Sequence, residues 1–272
     1  MIYHGILLTD YKKLHRIKPL GAYRLASELR KNGYNILIID HFSELYRNQV
    51  LTKILSTIIT KETLFVGYSS TFFLNSLSFM ERMSTLEPGL DLSWLPLPSA
   101  DIEQLNSQIK SLNPATDILF GGAYAKSLFF HAEQHSRLGF DYVFSGFSES
   151  MILDFVKRKQ NYVPQQATQE VNGLKLIDYD SKGSCFDFNS CTTLWNESDL
   201  ILPNETLPLE VSRGCIFKCK FCAYPLLGKD PNDSSYIKDE SSLHREIVEN
   251  YEKYGVNQYL ILDETFDSSL DS

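Results

Sequence analysis

The chain has 272 residues, 43% of them hydrophobic, enough for one or two packed domains and too many for a disordered protein. Its formal net charge is -8 and no Lys/Arg stripe stands out, which argues against nucleic-acid binding. No apolar run approaches the ~18 residues of a membrane span, and in "MIYHGILLTDYKKLHR" the basic residues follow the apolar stretch, the wrong order for a secretory signal, so a cytoplasmic location is expected.

Strand-like and helix-like segments alternate from the start. "YHGILLTD" is a short apolar run closed by a turn signal. "PLGAYRLASELRKNGY" has Leu20, Tyr23, Leu25, Ala26 and Leu29 at helical spacing and Gly33 as a stop. "NILIID" reads as a strand covered on both faces, as in parallel sheets. "SELYRNQVLTKILSTIIT" returns to the helical period, and "TLFVGYSS" is a third strand. Residues 71–100, with the Pro/Gly-rich "EPGLDLSWLPLPS", read as an insertion over one sheet edge. "SADIEQLNSQIKSLNP" is a helix with Ser99 or Asp101 as cap and Pro114 beyond its end. "TDILFGGAYA" and "DYVFSGFSES" are further strand–turn units, ending in Gly121-Gly122 and Ser145-Gly146.

This succession predicts an α/β fold: a doubly wound parallel sheet over residues 1–160. Ligands of such sheets bind beyond the carboxyl ends of the strands, where glycine lets them approach the backbone. Gly121, Gly122 and Gly146 serve either that purpose or turn geometry alone. Residues 161–203, rich in Asn, Ser, Thr and Asp, read as an interdomain linker with one short hairpin around Gly173. Cys185 and Cys191 fall there and read as unligated thiols.

The remaining three of the five cysteines crowd into "EVSRGCIFKCKFCAYP". An odd count without an export signal favours metal or redox chemistry over disulfides. Cys215, Cys219 and Cys222 follow a strand and a glycine turn with C-x3-C-x2-C spacing. A structural zinc site takes four ligands, and no nearby fourth Cys or His follows; His244 lies on a predicted helix and reads as a surface residue. Three thiolates suit a four-iron cluster with one iron left open. Next, "SSLHREIVENYEKYG" reads as a helix with Leu243, Ile247, Tyr251 and Tyr254 along one face, and "NQYLILDETF" as a strand with acids at its carboxyl end.

With Phe221 between the last two cysteines, the loop resembles the radical S-adenosylmethionine (radical SAM) superfamily, whose signature is C-x3-C-x-aromatic-C. The resemblance implies a [4Fe-4S] cluster on Cys215, Cys219 and Cys222, with Phe221 near the adenine of SAM. It implies reductive cleavage of SAM to a 5'-deoxyadenosyl radical, fed by an electron donor and directed at an unidentified substrate. It also places an acidic turn, matched by Asp263 and Glu264, near the methionyl group of SAM; a capping or solvated acid is the alternative. The N-terminal half resembles the cobalamin-binding domain of the cobalamin-dependent radical SAM class, with "GGAYAK" and "SGFSES" as its turns, Gly121, Gly122 and Gly146 included. That leaves cobalamin open as a third cofactor. His15 is too far from both Asp10 and Gly21 to match the D-x-H-x-x-G cobalt-ligand motif.

The resemblance covers residues 1–160, the linker and 204–272 as the first β–α units of a partial TIM-type barrel. The barrel is therefore expected to be incomplete, as a truncated form, a split protein completed by a second chain or a shortened one. Two functions compete: a radical SAM enzyme or its N-terminal portion, and a non-catalytic cobalamin- or partner-binding module with a vestigial cluster segment. A zinc-binding interaction protein is a distant third.

Overall fold

The computed structural model describes residues 2–10, 17–69, 97–122, 125, 129, 138–178, 187–215, 217, 219–221 and 236–263. The chain divides into two compact units, Met1–Ser184 and Cys185–Ser272. No helix among the described residues is long and apolar enough to cross a membrane.

In the first unit, β1 (Gly5–Thr9), α1 (Leu20–Lys31), β2 (Ile36–Asp40), α2 (Phe42–Arg47), α3 (Val50–Ile58) and β3 (Phe65–Ser69) follow in order. Then come α4 (Ser99–Leu112), β4 (Asp117–Gly121), β5 (Tyr142–Ser145), α5 (Ser148–Gln160), β6 (Gln169–Val171) and β7 (Leu174–Asp178). The sheet runs β2-β1-β3-β4-β5-β7-β6, parallel throughout except for the β6–β7 hairpin. Its first five strands have the doubly wound, flavodoxin-like order, with the chain reversing direction across the sheet between β1 and β3.

Alternation along the strands decides which residues meet which helices. Ile6, Leu8, Val66, Ile118, Phe120 and Val143 share one core with Leu51 and Leu55 of α3 and Ile102, Leu105 and Ile109 of α4. On the opposite face Phe155 of α5 stacks edge-on against Tyr142 and Phe144, at ring separations of 5.1 and 5.4 Å. Each fully buried side chain of this size contributes about 1.5–3 kcal/mol. Gly5 is packed under Phe65: a Cβ there would lie 2.3 Å from the ring.

Three expectations change. The helical stretch 43–60 is two helices, because Gln49 turns left-handed (φ 57) and re-aims Leu51 and Leu55 into the core. Neither Ser99 nor Asp101 caps α4; Pro98 holds the N-cap position and no side chain bonds there. The first unit does not end at 160, because the hairpin around the Asn172–Gly173 turn carries β7 onto β5, Tyr142 against Lys175 and Ser145 against Asp178. The insertion read over 71–100 lies outside the described residues as far as 96.

The second unit contains β8 (Thr206–Leu209), α6 (Glu240–Tyr254) and β9 (Gln258–Ile261), with β8 and β9 parallel and α6 crossing between them. Residues 187–199, expected as linker, pack in this unit. Asn189 Nδ2 donates to the Ile237 carbonyl at 2.7 Å and Lys253 Nζ to the Trp195 carbonyl at 3.4 Å. The polarity of this stretch thus serves hydrogen bonding within a packed unit.

The expected apolar face of α6 is also corrected. Its buried residues are Ser242, Glu246 and Asn250, while Tyr251 is 62% exposed. The cause is an ion pair: Lys238 Nζ meets Glu246 Oε2 at 2.6 Å with both side chains essentially sealed from water. Glu246 Oε1 accepts from the Thr193 amide at 3.1 Å, which occupies its other oxygen.

Candidate functional site

The carboxyl edge of the seven-stranded sheet collects small and polar residues at strand ends whose interiors are apolar. Thr9, Asp40, Ser69, Gly121, Ser145 and Asp178 close β1, β2, β3, β4, β5 and β7. Around β1 and β2 this edge is filled from within. Asp40 accepts from the Thr9 hydroxyl and, at 2.6 Å, from the Tyr23 hydroxyl, with Lys18 Nζ at 3.5 Å. One residue past β1, Asp10 accepts from the backbone and hydroxyl of Ser43. Burial pushes the Asp10 carboxyl up to about 6 against those hydrogen bonds and the nearby Arg47 charge.

Further along the edge the strand ends carry exposed or part-exposed glycines. Gly121 is part-exposed and Gly122 exposed, and a Cβ on Gly121 would only touch Phe144 at 3.7 Å. Gly122 (φ 108) and Gly146 (φ 85) hold conformations that other residues rarely adopt, so the turns themselves call for glycine. The three glycines therefore stand together at the carboxyl ends of β4 and β5, to one side of the β1–β3 switch point, and turn geometry accounts for two of them.

In the second unit β8 leads directly to the cysteine loop. Cys215 is buried and Cys219 is exposed; Phe217 and Phe221 are exposed, Phe221 at 92%. Cys222, Glu264 and Cys185 lie outside the described residues, and among those described no three metal-ligating side chains stand together. Cys191 is buried in the second unit, within the stretch packed on α6.

The approach to Cys215 is held on both sides. On one flank the Arg213 amide donates to the Tyr236 carbonyl and the Lys238 amide to the Val211 carbonyl, each at 2.8 Å, around a bridge of Ser212 to Ile237. On the other flank Asp263 Oδ1 accepts from the Val211 amide at 2.9 Å, and Oδ2 from the Ser212 amide at 2.8 Å and its hydroxyl at 3.1 Å. Burial raises the Asp263 carboxyl above its ordinary value, opposed by these hydrogen bonds. Arg213 grips Glu210 through two bonds of 2.8 Å and lies 5.0 Å from the Phe188 ring centre. Residue types near the cysteines do not suggest the Asp263 contacts, which depend on β8–β9 pairing across some fifty positions of sequence.

No family model matches the sequence, and no curated protein matches it. Solved structures do. Two are of the radical S-adenosylmethionine methyltransferase TsrM from Kitasatospora setae, one with tryptophan substrate and the SAM analogue aza-SAM bound, the other with cobalamin and a [4Fe-4S] cluster bound. The first aligns at TM-score 0.60 and 14% identity over 98% of this chain and 49% of that one. The second aligns at TM-score 0.57 and 14% identity, over 97% and 48%. The chain thus spans about half the length of these neighbours and shares their fold.

Proposed function

We propose that this chain carries the cofactor-binding part of a cobalamin-type radical SAM enzyme, with Cys215, Cys219 and Cys222 holding a [4Fe-4S] cluster. The observation that carries the proposal is the C-x3-C-x2-C loop at the carboxyl end of β8, in a parallel β–α–β unit, in a chain whose fold is that of a radical SAM methyltransferase. The donor set fits the group, since three soft thiolates and no fourth ligand nearby match a cluster with one open iron. Together with SAM such a cluster supplies a one-electron reduction that yields a 5'-deoxyadenosyl radical, and the protein supplies binding, orientation and exclusion of water.

The chain's own residues divide that work. Cys215 offers its thiol from a buried position, shortly after the backbone held at Val211 and Ser212, and Cys219 from an exposed one. Phe221 presents a full aromatic face for a base to stack on. In the first unit Gly121, Gly122 and Gly146, at the carboxyl ends of β4 and β5, are the residues for cobalamin. Asp40 and Asp10, bonded to Thr9, Tyr23 and Ser43, occupy the β1–β2 part, so a ligand would enter beside β4 and β5. Glu264 remains the acid for the SAM ammonium group; an electron donor and an unidentified substrate are the partners.

Anaerobic reconstitution with iron and sulfide tests the cluster. Wild type should take up about four iron atoms per chain, as a [4Fe-4S] cluster requires. Cys215→Ala, Cys219→Ala and Cys222→Ala should each lose most of them, and Cys185→Ala and Cys191→Ala should not. Equal iron loss in Cys185→Ala and Cys219→Ala would refute the ligand set. Cobalamin is tested separately by titrating hydroxocobalamin and following its visible spectrum, with Gly146→Val expected to abolish the change.

A further inference from the structure

We propose that Asp263 is the positioning residue of the cysteine loop: from the carboxyl end of β9 it fixes the backbone that presents Cys215 as the first cluster thiolate. The proposal rests on the cluster reading above and gives Asp263 work inside the chain rather than at a small molecule.

The register of β8 and β9 makes the tie. Leu209 stands against Ile261, and the Leu262 amide donates to the Leu209 carbonyl at 2.9 Å. Past this point β8 has no ladder partner on that side, so the amides of Val211 and Ser212 need acceptors. Asp263 follows Leu262, two residues past the end of β9, and supplies one oxygen to each, with the Ser212 hydroxyl on the second oxygen. An ionised carboxylate only accepts, so all three donors can be served at once; an amide cannot do this. Two successive amides on the two oxygens of one carboxylate fix the peptide plane between them.

The opposite flank is bound at the same residues. The Lys238 amide reaches the Val211 carbonyl, and the Arg213 amide reaches the Tyr236 carbonyl. Residues 211–213 are therefore clamped from both sides, and Cys215 follows two residues later. The outcome is asymmetric: Cys215 is buried, while Cys219, beyond the clamp, is exposed. One thiolate is set by the fold before any iron arrives. Cutting the Asp263 tie should free the first cysteine without touching the second.

The test reads thiol protection and iron binding separately. The full chain, reduced and free of iron, is pulsed with iodoacetamide, and labelling of the Cys215 and Cys219 peptides is measured by mass spectrometry. Asp263→Asn, of the same size, turns an amide donor toward an amide donor. Losing charge-assisted bonds of this kind should speed Cys215 labelling about tenfold or more, with Cys219 unchanged. Asp263→Glu, which keeps both acceptor oxygens, should recover part of the protection. Val256→Ala, a core truncation in the same unit, is the control for general loosening and should not raise Cys215 relative to Cys219. After reconstitution Asp263→Asn should hold less iron than wild type and shift the EPR spectrum of the reduced cluster. Unchanged Cys215 protection in Asp263→Asn, or an equal rise in Val256→Ala, overturns the proposal. If wild type takes no iron, the cluster reading fails, and the labelling ratio still decides whether Asp263 sets Cys215.

Discussion

Glu246→Gln should unfold the second unit far more readily than its single-atom change suggests. Lys238 and Glu246 are 0% and 1% exposed and 2.6 Å apart. Glutamine keeps an oxygen for the Thr193 amide, so the substitution isolates the charge. What remains is a buried ammonium that has lost the charge of Glu246, and breaking one side of such a pair costs about 3–5 kcal/mol. Lys238→Met leaves the mirror-image problem, a buried carboxylate that has lost its ammonium partner. The double variant Lys238→Met/Glu246→Gln buries no net charge and should recover most of the loss, since neutral replacements of buried pairs are often harmless. Urea unfolding at neutral pH, followed by Trp195 fluorescence in a Trp94→Phe background, reads the unit directly because Trp195 is buried in it. With the slopes usual for small domains the single variants should lose about 1–3 M in midpoint. Should Glu246→Gln fall within about 1 kcal/mol of wild type, or the double variant prove worse than either single, the pair would not be the organising contact of α6.

Two further outcomes check the first unit. Gly5→Ala should destabilise the chain by about 1–3 kcal/mol because its Cβ would meet the buried Phe65 ring, while Gly21→Ala, with open space and a helical position, should stabilise it by about 0.5–1 kcal/mol; thermal melts of the two, moving in opposite directions, test the packing of β1 against β3. Asp10, raised from 3.8 to about 6, keeps its proton when folded at pH values where the unfolded chain has lost it. Its contribution is therefore present below about pH 4 and lost as pH rises through about 6, some ~3 kcal/mol in all, and Asp10→Asn should flatten that part of the stability–pH curve in a fluorimetric melt series.

The sheet of the first unit was legible because apolar runs bounded by turn residues do not read as anything else: "GILLT", "ILIID" and "FVGYS" are strands where expected. The break at Gln49 was not, since its helical period continues on both sides and a left-handed non-glycine leaves no mark in composition. The α6 face was misread for a related reason. Counting apolar residues finds Leu243, Ile247 and Tyr251, but a sealed Lys–Glu pair places Glu246 inside, and its partner lies eight positions away in an unremarkable "YIKDE". The linker was misjudged because polarity was equated with solvent, whereas Asn189 and the Thr193 amide spend theirs on internal bonds. In the site, the cysteine spacing is legible in the sequence and is the basis of the proposed cluster. The contrast between buried Cys215 and exposed Cys219 is not legible there, nor is the tie of Asp263 to Val211 and Ser212, which strand pairing brings together across about fifty residues.

The β6–β7 hairpin has a practical consequence for anyone dividing this protein. β6 is three residues long, wholly exposed and carries Glu170, the kind of edge that does not recruit a neighbouring strand. β5, separated from it by β7 in the same sheet, is buried along all four residues and has β7 as its partner on that side. A fragment ending at 160, where the helical pattern stops, would lay that strand bare, and a fragment ending at 184 would not. On a sizing column the shorter piece should run as aggregate and the longer as monomer, so the hairpin acts as the selvedge of the sheet, the woven border without which the cloth catches on itself.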